Sequence, residues 1–276
     1  MEVGPLITGC KGLLGAALMA KIPNAIGIDK EFDVAADSTI DYVLSVKPKA
    51  IIHCAAYTNV DKAEEEPELC FRINHVGTTK MAVACRYLDI PMIYISTDAV
   101  FDGEKDSPYL PEDTPNPKSI YGKSKLEGEK SLSDVEKHTI IRTNWIYGTA
   151  RSNFITNAIE ELKNKIVSRV TIRTIEQKGS PTYVIDLANL ILDIYTKGKY
   201  DKRIGHFTNE GKASRKEVLT YLAGLFGKAI DFVDYSTYIK VPRPKNSLLE
   251  NSWYSPHWMN SLRHFVNNPD DIGSVL

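Results

Sequence analysis

The sequence predicts an α/β fold in which a doubly wound parallel sheet carries helices on both faces. Two observations support this prediction. Short apolar strands alternate with helical patterns through the first half of the chain, and a glycine-rich turn directly follows the first strand. The predicted strands are residues 3–8, 25–28, 50–54, 92–96 and 139–142. Sheets of this kind bind their ligands at the carboxyl ends of the strands.

The first strand leads into the turn Gly9-Cys10-Lys11-Gly12-Leu13-Leu14-Gly15, and a helix is predicted over residues 16–21. Glycines at such a turn let the backbone approach a pyrophosphate, and the helix N-terminus then faces the phosphates. The turn therefore indicates a Rossmann-type dinucleotide site, although its spacing is G-x-x-G-x-x-G rather than G-x-G-x-x-G. A tight turn without a ligand is the alternative interpretation.

Asp29 follows the second strand and lies 20 residues after Gly9. An acidic residue at this distance commonly hydrogen-bonds the adenosine ribose of a bound dinucleotide. Lys30 comes next and would instead pair with a 2′-phosphate, so the sequence leaves the choice between NADH and NADPH open. A solvated loop charge is the alternative interpretation of Asp29. Asp33 and Val34 precede a helix predicted over residues 39–46.

The ends of the third and fourth strands carry residues suited to a binding site. The third strand is followed by Ala55-Ala56-Tyr57-Thr58, small residues that leave room for a group to lie against the backbone. A helix is predicted from Pro67 to about residue 88, because proline is favoured in a first helical turn. The fourth strand ends at Ser96-Thr97-Asp98, and we interpret the long loop 99–119 after it as part of an active-site rim.

Tyr121 and Lys125 stand four residues apart at the start of a helix predicted over residues 123–132, which places both side chains on one face. A lysine ammonium beside a phenol favours the phenolate, so we expect Lys125 to lower the pKa of Tyr121. A tyrosine tuned in this way can exchange a proton with a developing alkoxide near neutral pH. On its own the Tyr-x-x-x-Lys pattern is common by chance, and a solvated helix face is the alternative interpretation.

After the fifth strand the alternation becomes looser, and we interpret the rest of the chain as a smaller lobe. Helices are predicted over residues 153–163, 185–196 and 215–226, the last opened by a capping box of Ser214 and Glu217, and a final helix opens at Pro256. A strand is predicted over residues 170–175, with loops at 180–182 and 241–244. The predicted dinucleotide-binding domain covers residues 1–147, with a return around 181–208, and the smaller lobe covers residues 148–180 and 209–276.

The composition is that of an ordinary globular protein, with 43% hydrophobic and 25% charged residues. Thirty-four basic and 35 acidic residues give a net charge of −1, which does not indicate a nucleic-acid or membrane partner. The sequence shows no apolar run of membrane-spanning length and no signal-peptide pattern. The four cysteines form no C-x-x-C pair and are expected to be free thiols in a reducing compartment. We therefore expect a cytoplasmic protein without a metal site.

Motifs in order along nearly the whole chain resemble the extended short-chain dehydrogenase/reductase superfamily and, within it, the dTDP-4-dehydrorhamnose reductase family. The superfamily motifs are the glycine turn with Thr8 before it and Tyr121-x-x-x-Lys125. The stretches that resemble the family are Ala55-Ala56-Tyr57-Thr58, Val60-Asp61-Lys62-Ala63-Glu64, Ser96-Thr97-Asp98, Val100-Phe101-Asp102-Gly103, Asn116-Pro117, Tyr121-Gly122-Lys123-Ser124-Lys125-Leu126 with Gly128-Glu129, Arg142 with Trp145, Asn153-Phe154, Gly179-Ser180-Pro181-Thr182 and Arg243-Pro244-x-x-Ser247.

The resemblance implies a Rossmann domain that binds NADPH or NADH and a C-terminal lobe that holds a nucleotide sugar. It implies hydride transfer to the C4 carbonyl of dTDP-4-keto-6-deoxy-L-mannose, which gives dTDP-L-rhamnose. Tyr121 would protonate the developing alkoxide, Thr97 would hydrogen-bond the same oxygen, and Lys125 would hold the nicotinamide ribose. The implied cofactor-binding residues are Gly9, Lys11, Gly12, Leu13, Leu14, Gly15, Asp29, Lys30, Asp33, Val34, Cys54, Ala55, Ala56, Tyr57, Asn74, Tyr121 and Lys125. The implied substrate-binding residues are Thr97, Asp98, Val100, Tyr121, Trp145, Asn153 and Arg243.

The chain departs from the family pattern at positions that bear on the sugar rather than on the fold. Ala99 replaces the tyrosine that usually follows Ser-Thr-Asp, His53 and Cys54 replace Asn-Ala, and Glu176 replaces an aspartate. The second lobe is also shorter than is common. A related nucleotide-sugar reductase or epimerase-reductase therefore stays open, as does a non-catalytic role like that of the regulatory beta subunit of methionine adenosyltransferase. The oligomeric state is also open, and a homodimer is one expectation.

Overall fold

The computed structural model describes residues 3–164, 167–172, 177–201, 203–234, 241 and 243–268. Its strands are β1 (Leu6–Thr8), β2 (Ile26–Ile28), β3 (Ile51–His53), β4 (Met92–Thr97), β5 (His138–Thr143), β6 (Ile146–Tyr147), β7 (Val167–Ile172), β8 (Lys178–Gly179), β9 (Thr182–Tyr183), β10 (Arg203–His206), β11 (Ala213–Ser214) and β12 (Ala229–Asp234). Its α-helices are α1 (Leu13–Lys21), α2 (Thr39–Val46), α3 (Val60–Ala63), α4 (Pro67–Phe71), α5 (Thr78–Leu88), α6 (Ile120–Lys130), α7 (Phe154–Asn164), α8 (Val184–Lys197), α9 (Arg215–Leu225) and α10 (Trp258–Asn267).

The central sheet contains six parallel strands in the order β10-β5-β4-β3-β1-β2. Successive residues of a strand point to opposite faces, so each strand contributes to two cores. One core contains Ile7, Ile52, Ile93 and Ile141 with side chains of α1 and α8, and the other contains Leu6, Ile51, Met92 and Ile140 with side chains of α2 and α5. Because both faces of these strands are buried, consecutive residues are apolar, which explains the apolar runs in the sequence. The predicted α/β class and doubly wound parallel sheet are confirmed.

Two helix boundaries differ from the prediction in ways that affect the site. The single helix predicted over residues 67–88 contains a π-helical segment, Arg72–Gly77, between α4 and α5. Helix α6 begins at Ile120 rather than at residue 123, because the Ser119 hydroxyl accepts a hydrogen bond from the Gly122 amide and caps the helix. Tyr121 therefore lies inside the first turn of α6, and Lys125 lies one turn further on.

The chain after β5 returns to the sheet once and otherwise builds a smaller region. Strand β10 extends the sheet beside β5, and α8 packs against α1. The strand predicted over residues 170–175 is β7, which pairs with β12, while residues 173–176, including Glu176, lie outside the described residues. The capping box of Ser214 and Glu217 is confirmed at the start of α9. In the described ranges, no helix is both long and apolar enough to cross a bilayer.

Candidate active site

A cavity of about 1140 Å³ runs along the carboxyl ends of the central strands, and the glycine turn forms one of its walls. Gly9 has a φ of +67°, and a Cβ there would lie 2.9 Å from the Ala55 amide nitrogen. A Cβ at Gly15 would lie 2.1 Å from the Gly9 carbonyl oxygen. Contacts this short leave no room for a side chain at Gly9 or Gly15. The two glycines therefore allow the turn, the loop after β3 and the start of α1 to pack closely. This cradle fits the backbone-lined pyrophosphate site of a dinucleotide.

Asp29 lies beside the turn, where its carboxylate accepts hydrogen bonds from the backbone amides of Lys11 (2.7 Å) and Lys30 (2.8 Å). Burial raises the pKa of Asp29, but these two amides outweigh that effect and the pKa is lowered overall. The carboxylate is therefore ionised and fixed at the edge of the cavity. The Lys11 ammonium forms an ion pair with Glu31 at the solvent-exposed end of the turn.

Most of the predicted cofactor-binding residues line this cavity. They are Gly9, Gly12, Leu13, Leu14, Gly15, Asp29, Lys30, Asp33, Val34, Cys54, Ala55, Ala56, Tyr57, Tyr121 and Lys125. The other two do not line it: the Lys11 amide donates to Asp29, and the buried Asn74 holds the Tyr57 backbone through hydrogen bonds of 2.8 and 3.1 Å. The sequence did not predict Arg72 and Arg151, which also line the cavity. No motif marks them, and Arg72 reaches the site from the π-helical segment.

Thr97, Tyr121 and Lys125 meet at the far end of the cavity. Thr97 is the last residue of β4, and its hydroxyl is within hydrogen-bonding reach of the Tyr121 phenol. The same hydroxyl donates a hydrogen bond to the Asp98 carboxylate at 3.0 Å. The Lys125 ammonium donates to the Ile95 carbonyl oxygen at 2.6 Å and lies 4.0 Å from the centroid of the Tyr94 ring. Two hydroxyl groups, from different elements, therefore face the same space.

The expectation that Lys125 lowers the pKa of Tyr121 is wrong in this structure. Burial raises the pKa of Tyr121 well above its ordinary value, Asp98 raises it further, and only the Thr97 hydroxyl acts in the opposite direction. Burial also lowers the pKa of Lys125 to about 7, although Glu129 partly compensates. Because burial disfavours the charged form of both groups, the phenol stays protonated and can act as a proton donor.

Trp145 and Asp98 form the part of the site that faces the smaller lobe. Trp145 has a φ of +45°, which is uncommon for a bulky residue and occurs mostly where the surrounding structure imposes it. A Cβ at Gly179 would lie 2.8 Å from its indole ring, and the Arg215 guanidinium lies 4.5 Å from the ring centroid. Burial raises the pKa of Asp98 despite hydrogen bonds from Ser247 and Thr97. Arg215 was not predicted from the sequence, because no motif places it against Trp145.

Two predicted substrate-binding residues, Val100 and Asn153, do not line this cavity. Val100 is 0% exposed and belongs to an apolar cluster with Phe101, Tyr109 and Leu249. Asn153 caps the start of α7, where its side-chain oxygen accepts from the amides of residues 155 and 156 at 3.1 and 3.2 Å. Both side chains contact other protein groups in the structure, and their substrate-binding roles stay predictions.

A second cavity, of about 1460 Å³, lies between the 99–119 loop and the smaller lobe. Ala99 lines it, while the neighbouring Asp98 lines the first cavity, so the two cavities adjoin at the end of β4. Arg243, a predicted substrate-binding residue, lines this cavity and pairs with Asp61 at 2.9 Å. Six basic and four acidic side chains face this space: Lys105, Lys118, Lys178, Lys212, Arg243 and Lys245, and Asp102, Glu104, Asp106 and Glu217. Arg243 and Lys105 are paired with Asp61 and Asp113, which do not line this cavity, so the basic and acidic side chains around it are close to balanced.

Comparison with known proteins places the chain in a family. The family model described as the RmlD substrate binding domain matches residues 3–271. The dTDP-4-dehydrorhamnose reductase of Sinorhizobium fredii is 33% identical over 94% of this chain and 95% of the relative, and the spore coat polysaccharide biosynthesis protein SpsK of Bacillus subtilis is 32% identical over 95% and 96%. The crystal structure of dTDP-4-dehydrorhamnose reductase from Bacillus anthracis in complex with NADP superimposes with a TM-score of 0.88 at 32% identity, over 96% of this chain and 99% of that one. The chain therefore belongs to the RmlD substrate binding domain family, as the sequence motifs indicate.

Proposed function

We propose that the protein is an NAD(P)H-dependent reductase that converts dTDP-4-dehydrorhamnose to dTDP-L-rhamnose. The observation that carries the proposal is the position of Tyr121 and Thr97, whose hydroxyls face one space where the two cavities adjoin. The names of the relatives support the substrate, and the NADP in the Bacillus anthracis structure supports the cofactor. The four free thiols support a reducing, cytoplasmic location, and a homodimer stays a prediction.

In this proposal the first cavity holds the dinucleotide, which supplies a hydride to the C4 carbonyl of the sugar. The glycine turn binds the pyrophosphate through its backbone, and Asp29 accepts from the adenosine ribose. Lys125 lies close enough to Tyr121 in the helix to reach the nicotinamide ribose on the same side. Tyr121 donates its proton to the sugar oxygen as negative charge develops there. The Thr97 hydroxyl, which donates to the Asp98 carboxylate in the structure, redirects its hydrogen to the same oxygen. Two donors aimed at one oxygen stabilise charge that is present only in the transition state.

The second cavity holds the nucleotide end of the substrate in this proposal. Basic side chains on its wall, with Lys178 and Lys245 among them, complement the two negative charges of a diphosphate. Trp145 offers an aromatic face near the junction of the two cavities. The hexose would then span the junction, with C4 beside Tyr121 and Thr97.

The proposed function is tested by following NADPH and NADH oxidation with a panel of dTDP- and UDP-linked 4-keto-6-deoxy sugars. We expect the highest kcat/KM with dTDP-4-dehydrorhamnose and formation of dTDP-L-rhamnose. Faster reduction of another sugar in the panel would replace the substrate but keep the reaction class. Binding of NADPH without turnover of any sugar would contradict the catalytic proposal and favour a regulatory role.

Replacing Lys30 by alanine should shift cofactor use toward NADH. Lys30 lines the cofactor cavity next to Asp29, so its ammonium favours a 2′-phosphate whereas the Asp29 carboxylate favours a free 2′-hydroxyl. A charge contact with phosphate is typically worth about 1.5–3 kcal/mol, so the ratio of kcat/KM for NADPH to that for NADH should fall about tenfold or more. Asp29→Asn should move the same ratio in the opposite direction. An unchanged ratio in Lys30→Ala would show that its ammonium points away from the ribose.

Replacing Ala99 by tyrosine should raise kcat/KM for dTDP-4-dehydrorhamnose. Ala99 lines the second cavity at its junction with the first, in the place where the family usually carries a tyrosine. An added phenol could donate one neutral hydrogen bond to the hexose, typically worth about 0.5–1.5 kcal/mol, or roughly threefold to tenfold. The measurement is kcat/KM across the same sugar panel. A block of the best wild-type substrate would instead indicate a native sugar with a substituent that fills this space.

A further inference from the structure

His53 is a fully buried histidine that the proposed mechanism does not use. It is the last residue of β3, is 0% exposed, and lies between two threonine hydroxyls. Its Nδ1 lies 2.7 Å from the Thr8 hydroxyl, and its Nε2 lies 3.1 Å from the Thr78 hydroxyl. Its ring stacks on Tyr94 with a centroid distance of 5.7 Å and an angle of 19° between the planes.

The outer partner of Thr78 determines the direction of the hydrogen bonds to His53. The Thr8 hydroxyl oxygen accepts from the Ala55 amide at 3.0 Å, and its hydrogen is available to His53 Nδ1. The Thr78 hydroxyl donates to the Asn74 carbonyl oxygen at 2.7 Å, so its oxygen accepts from His53 Nε2. A hydroxyl has one hydrogen, and therefore His53 accepts at Nδ1 and carries its proton on Nε2. The opposite tautomer would leave the Thr8 hydrogen without an acceptor among the described residues.

This chain of hydrogen bonds connects the cofactor cavity to the catalytic helix. At one end, Ala55 belongs to the loop that lines the cavity. At the other end, the Asn74 side chain holds the Tyr57 backbone and donates to the Ser124 hydroxyl at 2.9 Å. Ser124 in turn donates to the Tyr121 carbonyl oxygen at 2.8 Å. The ends of β1 and β3, the π-helical segment and α6 are thereby fixed relative to one another.

The surroundings of His53 disfavour a second proton. Burial lowers the pKa of His53 to about 3, and the nearby Lys125 ammonium acts in the same direction. Lys125 lies over the Tyr94 ring on which His53 stacks, and the phenol of Tyr94 stays protonated because burial raises its pKa. The His53 imidazole is therefore neutral in the folded protein near neutral pH.

We propose that His53 is a positioning residue, held as the neutral Nε2–H tautomer, which couples the cofactor loop at Ala55 to the catalytic helix through Thr8, Thr78 and Asn74. The role goes beyond the proposed function because it assigns a task to a residue that contacts neither ligand. Its kinetic consequences rest on the proposed function, whereas the tautomer does not.

The tautomer is tested on the free protein by nitrogen NMR of histidine-labelled samples. The chain has six histidines, and the signals that disappear in His53→Gln identify His53. We expect Nε2 to carry a proton and Nδ1 to be an unprotonated acceptor from about pH 6 to about pH 8. A proton on Nδ1, or an imidazolium in that range, would overturn the proposal whatever the substrate is.

The coupling is tested by removing one hydroxyl at a time. Thr8→Val should mainly raise the Kd for NADPH, and Thr78→Val should mainly lower kcat, each by about threefold to tenfold, the usual worth of a neutral hydrogen bond. Thr139→Val is the matched control, because this buried threonine has a hydroxyl without a partner among the described residues and lies at the opposite end of β5 from the site. Wild-type Kd and kcat in both Thr8→Val and Thr78→Val, or equal losses in all three variants, would overturn the coupling.

Variants of His53 itself separate the two contacts. Asn at position 53 can place an acceptor near Nδ1, and Gln can place a donor near Nε2. His53→Asn should therefore resemble Thr78→Val, with lower kcat, and His53→Gln should resemble Thr8→Val, with weaker NADPH binding. NADPH binding is measured without any sugar, so this arm does not depend on the identity of the substrate. The reverse assignment of the two effects would contradict the direction of the hydrogen bonds.

Discussion

Replacing Tyr121 by phenylalanine should lower kcat by about 10²–10⁴-fold, the range that a positioned general acid contributes. The phenol faces the space that it shares with Thr97, and burial keeps it protonated by raising its pKa. Phenylalanine retains the ring and removes only the proton donor. NADPH affinity should be nearly unchanged, because the phenol acts on the substrate oxygen rather than on the dinucleotide.

The measurement pairs steady-state oxidation of NADPH, with dTDP-4-dehydrorhamnose as substrate, with a fluorescence titration of NADPH. Tyr87→Phe is the control for the chemical change, since Tyr87 is 74% exposed and lies at the end of α5. Wild-type turnover in Tyr121→Phe would rule out the proposed proton transfer. A large loss of NADPH affinity would instead show that the variant disturbs the cofactor cavity.

Much of the fold could be predicted from the sequence because the central strands are buried on both faces. Runs such as Ile51–His53 and Met92–Thr97 are apolar and are separated by helical patterns, which is the arrangement of a parallel sheet. Strand β10 gave no such signal. It lies at the edge of the sheet, where Arg203 is exposed and Ile204 is 36% exposed, so its residues do not form an apolar run.

The site was predictable where a motif fixes both residue type and local geometry. The glycine turn, Thr97 and the Tyr121–Lys125 pair occupy the places that their patterns indicated. Arg72 and Arg215 were missed because each reaches the site from an element that is distant in sequence, and only the packing of the folded chain brings them there. The burial of Val100 in an apolar cluster was not foreseen, because a position close to a strand end does not decide whether a side chain faces the cavity or the core.

The direction in which the Tyr121 pKa is shifted could not be predicted from the sequence spacing alone. A helical separation of four residues places Lys125 beside Tyr121, but the sequence does not report how deeply either group is buried. In the structure the Lys125 ammonium turns to the Ile95 carbonyl oxygen, and burial dominates both pKa shifts.

Behind the catalytic helix lies a buried ion pair that joins α6 to β5. Arg142 donates to both carboxylate oxygens of Glu129, at 2.9 and 2.7 Å, and the two side chains are 2% and 4% exposed. The Ser96 hydroxyl donates to the same carboxylate at 2.5 Å, and Arg142 also reaches the Pro111 carbonyl oxygen at 3.2 Å. In the sequence, Glu129 and Arg142 belong to separate motifs that resemble the family, and nothing there indicates that they contact each other. The structure joins them into one unit that fixes the end of β4, helix α6 and the 99–119 loop.

Replacing Glu129 by glutamine should lower the free energy of unfolding by about 3 kcal/mol. Removing one partner of a buried pair typically costs about 3–5 kcal/mol, because the other charge stays buried without compensation. The amide oxygen of glutamine still accepts from Arg142, so we expect the lower end of that range. For a chain of this size the loss should appear as a fall in the melting temperature of roughly 6–12 °C, measured by calorimetry.

A second variant shows whether this loss comes from the uncompensated Arg142 charge or would follow from any Glu-to-Gln change in α6. Glu127→Gln makes the same change two residues earlier in α6, where Glu127 pairs with Lys130 at 2.7 Å but is 38% exposed. Exposed pairs are worth about 0–1 kcal/mol, so Glu127→Gln should shift the melting temperature by only about 2 °C. Adding Arg142→Met to Glu129→Gln removes the unpaired guanidinium and should recover much of the loss. Equal destabilisation by the two glutamine variants, or no recovery in the double variant, would contradict the assignment of the loss to the buried charge.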